Sequence, residues 1–275
     1  MEMNGRVAVV TGAASGIGLA IVERLVEEKM SVVMADIESE ALAQQADRLI
    51  SAGAPVTPVV CDVADSDAIQ QLKEKTLETY GAVHLLANNA GVASGQVNYK
   101  TPPAVWRWMV EVNILGVAYG ISAFAPLMIE QGEGHIINTA SEAGLASSAL
   151  LGAYHATKYA VVGLSESLAL ELSGTGVGVS CLCPELVATR IFESTRNAPA
   201  ELGFPPAQPV AIGDIEQWMQ STAMDPRDVA ADVAHAVRAN RFWILTHQVS
   251  HQRVRHRNED LEVGRNPRPR LDRTE

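Results

Sequence analysis

A tyrosine and a lysine four residues apart, in Tyr154-His155-Ala156-Thr157-Lys158, are suited to passing a proton to or from a hydroxyl group. On a helix they share one face, so phenol and ammonium stand together. A phenol with a pKa near ~10 is a poor base at neutral pH. An adjacent ammonium favours phenolate and is expected to lower that value. Tyr154 is therefore the acid/base candidate and Lys158 the residue that tunes it. Ser141 closes the strand-like run that contains Ile136 and Ile137. Its hydroxyl is placed to hold a substrate oxygen beside the phenol and to stabilise developing charge. His155 points roughly 100° away from Tyr154 on a helix and is assigned to packing or the rim. His84 and His135, within strand-like runs, are read as satisfied core or edge histidines.

A second constellation precedes these residues. Thr11-Gly12-Ala13-Ala14-Ser15-Gly16-Ile17-Gly18 lies between an apolar strand and a helix-period segment. Glycines there permit a tight turn and close approach to a ligand, and the helix start offers free N–H groups to a pyrophosphate. The spacing is GxxxGxG, not the GxGxxG of the best-known dinucleotide fold. Asp36, at the end of the next strand, is positioned to accept hydrogen bonds from adenosine ribose hydroxyls and to repel a 2′-phosphate. No cation follows at Ile37 or lies inside the turn, which favours NAD(H) over NADP(H).

These residues need a frame. Strand-length apolar runs are expected at Arg6–Thr11, Ser31–Asp36, Val56–Cys61, Val83–Asn88, His135–Thr139, Val177–Cys183 and Arg241–Thr246. Helices are expected at Gly16–Lys29, Ser39–Ser51, Ser66–Tyr80, Thr101–Gln131, Leu150–Ser173 and Pro226–Arg238, with Asp65, Ser66 and Asp225-Pro226 as opening signals. Several runs are apolar throughout, as suits parallel strands covered on both faces. The alternation predicts one doubly wound α/β domain over residues 1–250, with a seven-stranded parallel sheet. A proline-bearing loop over 188–222 breaks the rhythm and reads as a binding loop or lid. Residues 251–275 read as a flexible tail, with Asn266-Pro267-Arg268-Pro269-Arg270 barred from a helix interior.

Bulk properties exclude some classes. The net charge of −11 argues against a general basic surface for nucleic acid. No uninterrupted apolar run reaches membrane-spanning length, and no secretory pattern opens the chain, so a cytoplasmic protein is expected. Cys61, Cys181 and Cys183 are odd in number without a CxxC pair, which predicts buried thiols and no metal site.

From about Met1 to Thr246 the chain resembles the short-chain dehydrogenase/reductase family. The motifs are the Thr11–Gly18 turn, Cys61-Asp62-Val63, Asn88-Asn89-Ala90-Gly91, Asn113, Ser141, Tyr154-xxx-Lys158 and Pro184-x-x-Val187-x-Thr189, in family order. The resemblance implies that Asp62 and Val63 hold the adenine. Asn89, Ala90 and Gly91 line the adenosine side and support the sheet, and Pro184, Val187 and Thr189 meet the nicotinamide end. It gives Lys158 a contact with the nicotinamide ribose. Asn113 anchors a water in a proton relay from Lys158. It also implies a homodimer or homotetramer packed through Thr101–Gln131 and Leu150–Ser173. One position departs: Glu185 stands where the family usually has Gly, bringing a Cβ and a carboxylate toward the nicotinamide or the substrate mouth.

The substrate is expected to border Glu142, Leu145, Ala146, Leu150 and Leu151 after Ser141, together with Glu185, Phe192, Phe204 and Trp218. Most are apolar, so a medium to large apolar secondary alcohol or its ketone is expected. Two other readings stay open: a dinucleotide sensor that does no chemistry, and a reductase of activated double bonds. A serine hydrolase is disfavoured, since Thr139-Ala140-Ser141-Glu142-Ala143 lacks the GxSxG elbow.

Overall fold

A computed structural model describes residues 1–95, 97–203 and 222–268 of the chain. Seven parallel strands form one sheet in the order β3-β2-β1-β4-β5-β6-β7. They are β1 (Val7–Thr11), β2 (Ser31–Asp36), β3 (Val56–Val60), β4 (Leu85–Asn88), β5 (Gly134–Thr139), β6 (Val177–Cys183) and β7 (Trp243–Leu245). The helices are α1 (Gly16–Glu27), α2 (Ser39–Ser51), α3 (Ser66–Tyr80), α4 (Pro103–Val110), α5 (Gly116–Gln131), α6 (Gly152–Glu171), α7 (Pro226–Ala239) and α8 (Gln248–Glu262).

Burial follows position in the sheet. Every residue of β1, β4 and β5 is buried, because helices cover both faces. Edge strand β3 buries and exposes residues in turn, and it tolerates Pro58, whose missing N–H costs no ladder bond at an edge. One core layer lies between the sheet and α1, α2 and α7; the other lies against α3, α5 and α6. The helix starts use the expected caps: Asp65 accepts from Asp67 N at 2.8 Å, and Asp225 accepts from Arg227 N at 2.8 Å.

Strand order reverses between β2-β1 and β4-β5. Loops after β1 and β4 therefore leave the sheet in opposite directions and open a crevice at the strand C-termini. Thr11, Asp36, Asn88, Ser141 and Pro184 sit at or just past these ends.

Two elements differ from expectation. The single helix expected over Thr101–Gln131 contains a π-helical turn at Glu111–Leu115 between α4 and α5. Apolar periodicity does not register the extra residue in one turn. The stretch Pro103–Gln131 has the length and hydropathy of a membrane span, with a mean hydropathy of 1.8. Here its apolar residues Val105, Met109, Val117, Phe124 and Met128 are buried in the domain. The second difference is the tail. Residues 248–262 form α8, whose last turn carries Asp260; it binds Arg265 at 2.7 Å and Arg268 at 2.8 Å just past the helix end. An almost wholly polar helix has no apolar stripe for sequence reasoning to find. The expected pause at the prolines does hold, since the helix stops before Pro267.

Candidate active site

β1 ends at Thr11 and α1 begins at Gly16, so four residues must reverse the chain. Gly12 and Gly16 adopt φ of +66° and +54°, which L side chains rarely adopt. A Cβ on Gly18 would lie 2.0 Å from the Gly12 carbonyl oxygen. Gly18 thus lets α1 pack onto the turn and does not itself face the crevice. Ser15 caps α1 without a side-chain bond to it, leaving the first-turn N–H groups for an anion. Gly18→Ala is expected to cost about 2 kcal/mol through overpacking and to weaken NADH binding at least about tenfold. Calorimetric melting and NADH fluorescence titration check both; wild-type values would remove this role.

The turn is tied to its neighbours. The Asn89 and Ala90 N–H groups donate to Thr11 Oγ1 at 2.9 and 3.0 Å, and Asn89 Nδ2 donates to Thr11 O at 3.1 Å. Asp36 accepts from Ala14 N at 2.8 Å and Glu38 N at 3.0 Å, so its carboxylate is fixed at the lip. Asp62 accepts from Ala64 N at 2.9 Å, and buried Val63 packs where a Cβ on Gly116 would lie 2.8 Å from its Cγ2. Thr189 lies against the turn from the other side: a Cβ on Gly16 would sit 3.0 Å from its Cγ2.

At the far end, α6 carries Tyr154 and Lys158. Lys158 is 3% exposed, and its Nζ donates to Thr139 O at 2.8 Å and lies 5.7 Å from the Tyr154 ring centroid. Burial pushes the Lys158 ammonium down to about 8. Tyr154 departs from the sequence expectation. Desolvation among surrounding protein atoms raises its pKa, and hydrogen bonding with Ser141 only partly opposes that. The ammonium sits over the ring and spends its hydrogen bond on Thr139, so the protein's own groups do not bring the phenol below its ordinary value.

Ser141 is held by backbone. Its hydroxyl donates to Pro184 O at 3.2 Å and accepts from Ala143 N at 3.1 Å. His155, buried beside Tyr154, pins the same loop: Nδ1 donates to Ala143 O at 2.7 Å, and Nε2 accepts from Ser148 N at 2.9 Å. A histidine so engaged packs and does not act as a base, as its direction on the helix implied. His135 likewise bonds Ser180 Oγ at 2.8 Å within the core.

Asn113 lies in the π turn, fully buried. It accepts from Val92 N at 2.8 Å and donates to Val92 O at 2.9 Å and to Thr157 Oγ1 at 3.1 Å. A Cβ on Gly91 would fall 3.3 Å from Asn113 Oδ1 and 3.4 Å from Lys158 Nζ. Both polar side chains therefore border the space that the absent Cβ of Gly91 leaves open. π turns recur at functional sites because they re-aim a residue without ending the helix.

One cavity of about 540 Å³ joins most of these parts; Asn113 and His155 are not on its wall. Gly12, Ser15, Gly16, Ile17, Asp36, Ile37, Asp62, Val63, Asn89, Ala90 and Gly91 line it toward the adenosine side expected from sequence. Ser141, Glu142, Leu151, Tyr154, Lys158, Pro184, Glu185, Val187, Thr189 and Phe192 line the remainder. Over residues 6–200 the chain matches the family model described as short chain dehydrogenase.

The chain belongs to the short-chain dehydrogenase family.

This short-chain dehydrogenase is 35% identical over 264 residues to 1-deoxy-11-beta-hydroxypentalenate dehydrogenase of Streptomyces exfoliatus, covering 95% of this chain and 90% of the relative. It is 36% identical over 202 residues to 3beta-hydroxysteroid dehydrogenase 2 of Eggerthella lenta, covering 73% and 77%. The crystal structure of a short-chain dehydrogenase/reductase from Burkholderia phymatum in complex with NAD superposes with a TM-score of 0.91. That structure shares 41% identity and covers 99% of this chain and 100% of its own. The fold is that of the NAD(H)-dependent oxidoreductases of this family.

Of the residues expected to border the substrate, Leu145, Ala146 and Leu150 do not line this cavity. Leu145 packs beside Val161, Val162 and Ala140 in a separate apolar cluster, because the short helical turn Glu142–Gly144 rotates it away from the crevice. Ala146 is buried off the cavity, and Leu150 projects to solvent, 61% exposed. Phe204 and Trp218 lie outside the described residues. Sequence reasoning missed Glu38, Arg190, Arg196, Asn197 and Arg253 on the cavity wall. Glu38 binds Arg196 at 2.7 Å, Asn197 at 2.9 Å and Arg190 at 3.7 Å, linking the loop after β6 to the end of β2. Burial raises the Glu38 pKa, but the hydrogen bonds and charges of these partners more than offset it and leave it lowered. The polar, aperiodic sequence around these residues carried no signal, since their meeting depends on how distant segments come together.

Proposed function

We propose that this protein is an NAD-dependent dehydrogenase of medium to large apolar secondary alcohols, or reductase of the matching ketones. The observation that carries the reading is the convergence of Ser141, Tyr154 and Lys158 on one cavity with the glycine turn and Asp36. The dinucleotide fits this chain's residues. Gly12 and Gly16 leave a cradle that side chains would fill, the start of α1 keeps N–H groups for the pyrophosphate, and Asp36 waits for the ribose. When bound, the cofactor supplies a ring able to accept a hydride.

The chain's own residues do the rest. Ser141 holds the substrate oxygen, because Pro184 and Ala143 fix its hydroxyl. Tyr154 takes the hydroxyl proton in oxidation and returns it in reduction. Lys158 keeps a positive charge beside the phenol and would hold the nicotinamide ribose of a bound cofactor. Asn113 steadies a proton path behind Lys158, from its place over Gly91. Asp36 supports NAD over NADP: a 2′-phosphate would meet a fixed carboxylate, and Glu38 already engages the two nearby guanidiniums.

Trp108, Val92, Ala93, Leu151, Leu186 and Phe192 make much of the substrate end apolar. Two relatives are dehydrogenases of a hydroxypentalenate and of a 3beta-hydroxysteroid by name, which supports an alcohol on an apolar skeleton. The test is the absorbance of reduced nicotinamide on purified protein against a panel of such alcohols, with NAD and NADP in parallel. Turnover with NAD, favoured over NADP by at least about tenfold in kcat/KM, is expected. Activity confined to small charged acids, or an NADP preference, would overturn the reading.

The assembly is proposed to be a dimer or tetramer through 103–131 and α6, where Ile129 and Leu170 stand 43% and 79% exposed. Light scattering at the mass of one chain would remove that part.

A further inference from the structure

The match to the family model ends at residue 200, so α8 lies beyond it. Yet α8 reaches the active site. His247, its N-cap, donates from Nε2 to Leu186 O at 3.1 Å and accepts from Glu185 N at 3.4 Å on Nδ1. Two turns on, Arg253 Nη1 lies 2.5 Å from Glu185 Oε1 and 3.4 Å from Glu142 Oε1. The three side chains are largely enclosed, 12% exposed for Arg253, 20% for Glu185 and 2% for Glu142, and all three line the cavity.

Placement gives this triad its meaning. Glu142 follows Ser141 and Glu185 follows Pro184. Glu142 N donates to Pro184 O at 2.8 Å, the same carbonyl that receives the Ser141 hydroxyl. The two carboxylates thus flank the contact that orients Ser141. Ionised, they repel each other across it. One guanidinium nitrogen, Nη1, turns that repulsion into a clasp: it donates to Glu185 Oε1 and stands within ion-pair reach of Glu142 Oε1.

We propose that Arg253 is a positioning residue of this active site: from the C-terminal helix it binds Glu142 and Glu185 together and so fixes the loop that presents Ser141. The proposal rests on the dehydrogenase reading only for its effect on turnover.

The test compares wild type, Arg253→Met, and the double variant Arg253→Met with Glu185→Gln. The primary readout is hydrogen exchange of the amides in 142–146, which needs no substrate; turnover of an alcohol from the panel is the second. In Arg253→Met these amides are expected to exchange at least about tenfold faster. The double variant returns exchange to within about threefold of wild type, because no like charge then faces Glu142 across the loop. Alcohol kcat/KM follows the same order, while NADH affinity at the glycine turn stays within about twofold. Wild-type exchange in Arg253→Met overturns the proposal, as does acceleration that the double variant retains. If Arg253→Met does not fold, rescue decides: a double variant that folds with protected amides supports the clasp, and one that also fails to fold or to protect them overturns it. Silence of wild type on every alcohol, with the exchange pattern as expected, would fault the substrate reading and leave the clasp standing.

Discussion

Tyr154→Phe is expected to lower kcat for alcohol oxidation by at least about a thousandfold, with NADH affinity changed by no more than about twofold. The substitution removes one oxygen from the cavity wall and leaves the ring, its packing beside Val92 and Ala153, and the course of α6 in place. What disappears is the group that can exchange a proton with the substrate hydroxyl. General acid/base catalysis is ordinarily worth about a hundred- to ten-thousandfold, and loss of the hydroxyl also removes its bond with Ser141. Because burial raises the phenol, the oxidative rate of wild type should keep rising with pH above neutrality, as phenolate becomes accessible. The mutant's residual rate should lack that rise. Stopped-flow and steady-state rates across pH, with NADH fluorescence titration alongside, test both. Equal rates for mutant and wild type, with turnover present, would take the acid/base role from Tyr154. Loss of NADH binding would instead show that the hydroxyl supports the cofactor site.

The sequence was most legible where a local rule has one physical solution. Apolar runs such as Val7-Ala8-Val9-Val10 have to be strands covered on both faces, and β1 is buried throughout. The turn from Gly12 to Gly18 requires positive φ and an absent Cβ, and both appear. Tyr154 and Lys158 share a helix face wherever that helix lies. The less legible features depend on geometry between distant segments. The tuning of Tyr154 was read from its spacing to Lys158, but the ammonium turns to Thr139 O and desolvation prevails. Leu145 was placed at the substrate from proximity to Ser141, and a single short turn carries it elsewhere. Arg253 lies in a polar stretch without periodicity, and nothing local ties it to Glu142, more than a hundred residues earlier. Glu185 was the one readable hint. A carboxylate beside Pro184 and largely enclosed needs a cationic partner, and Arg253 is that partner.

Lys158→Met is expected to abolish activity while making the protein more stable at pH 7. An ordinary lysine titrates at 10.5, and burial draws Lys158 down to about 8. The folded protein therefore binds this proton less tightly than the unfolded chain does. Between about pH 8 and 10.5 the unfolded state holds more protons, so stability rises with pH across that window. Below it both states are protonated and the folded state bears the full cost of a desolvated ammonium. The drop from 10.5 to about 8 corresponds to about 3 kcal/mol. Methionine fills similar space without charge. It leaves Thr139 O without the 2.8 Å bond from Nζ, a loss of about 1–2 kcal/mol. The net gain is about 1–2 kcal/mol, or a melting temperature higher by a few degrees, on the order of 3 °C, at pH 7. The advantage should shrink as pH rises toward 10, where wild-type Lys158 is already neutral in the folded protein. Calorimetry of both proteins at the two pH values decides the matter. A mutant less stable at pH 7, or a difference independent of pH, would mean that the ammonium is accommodated without strain. A mutant more stable yet inactive would show that the site holds its charge against the preference of the fold, as a group retained for chemistry would be.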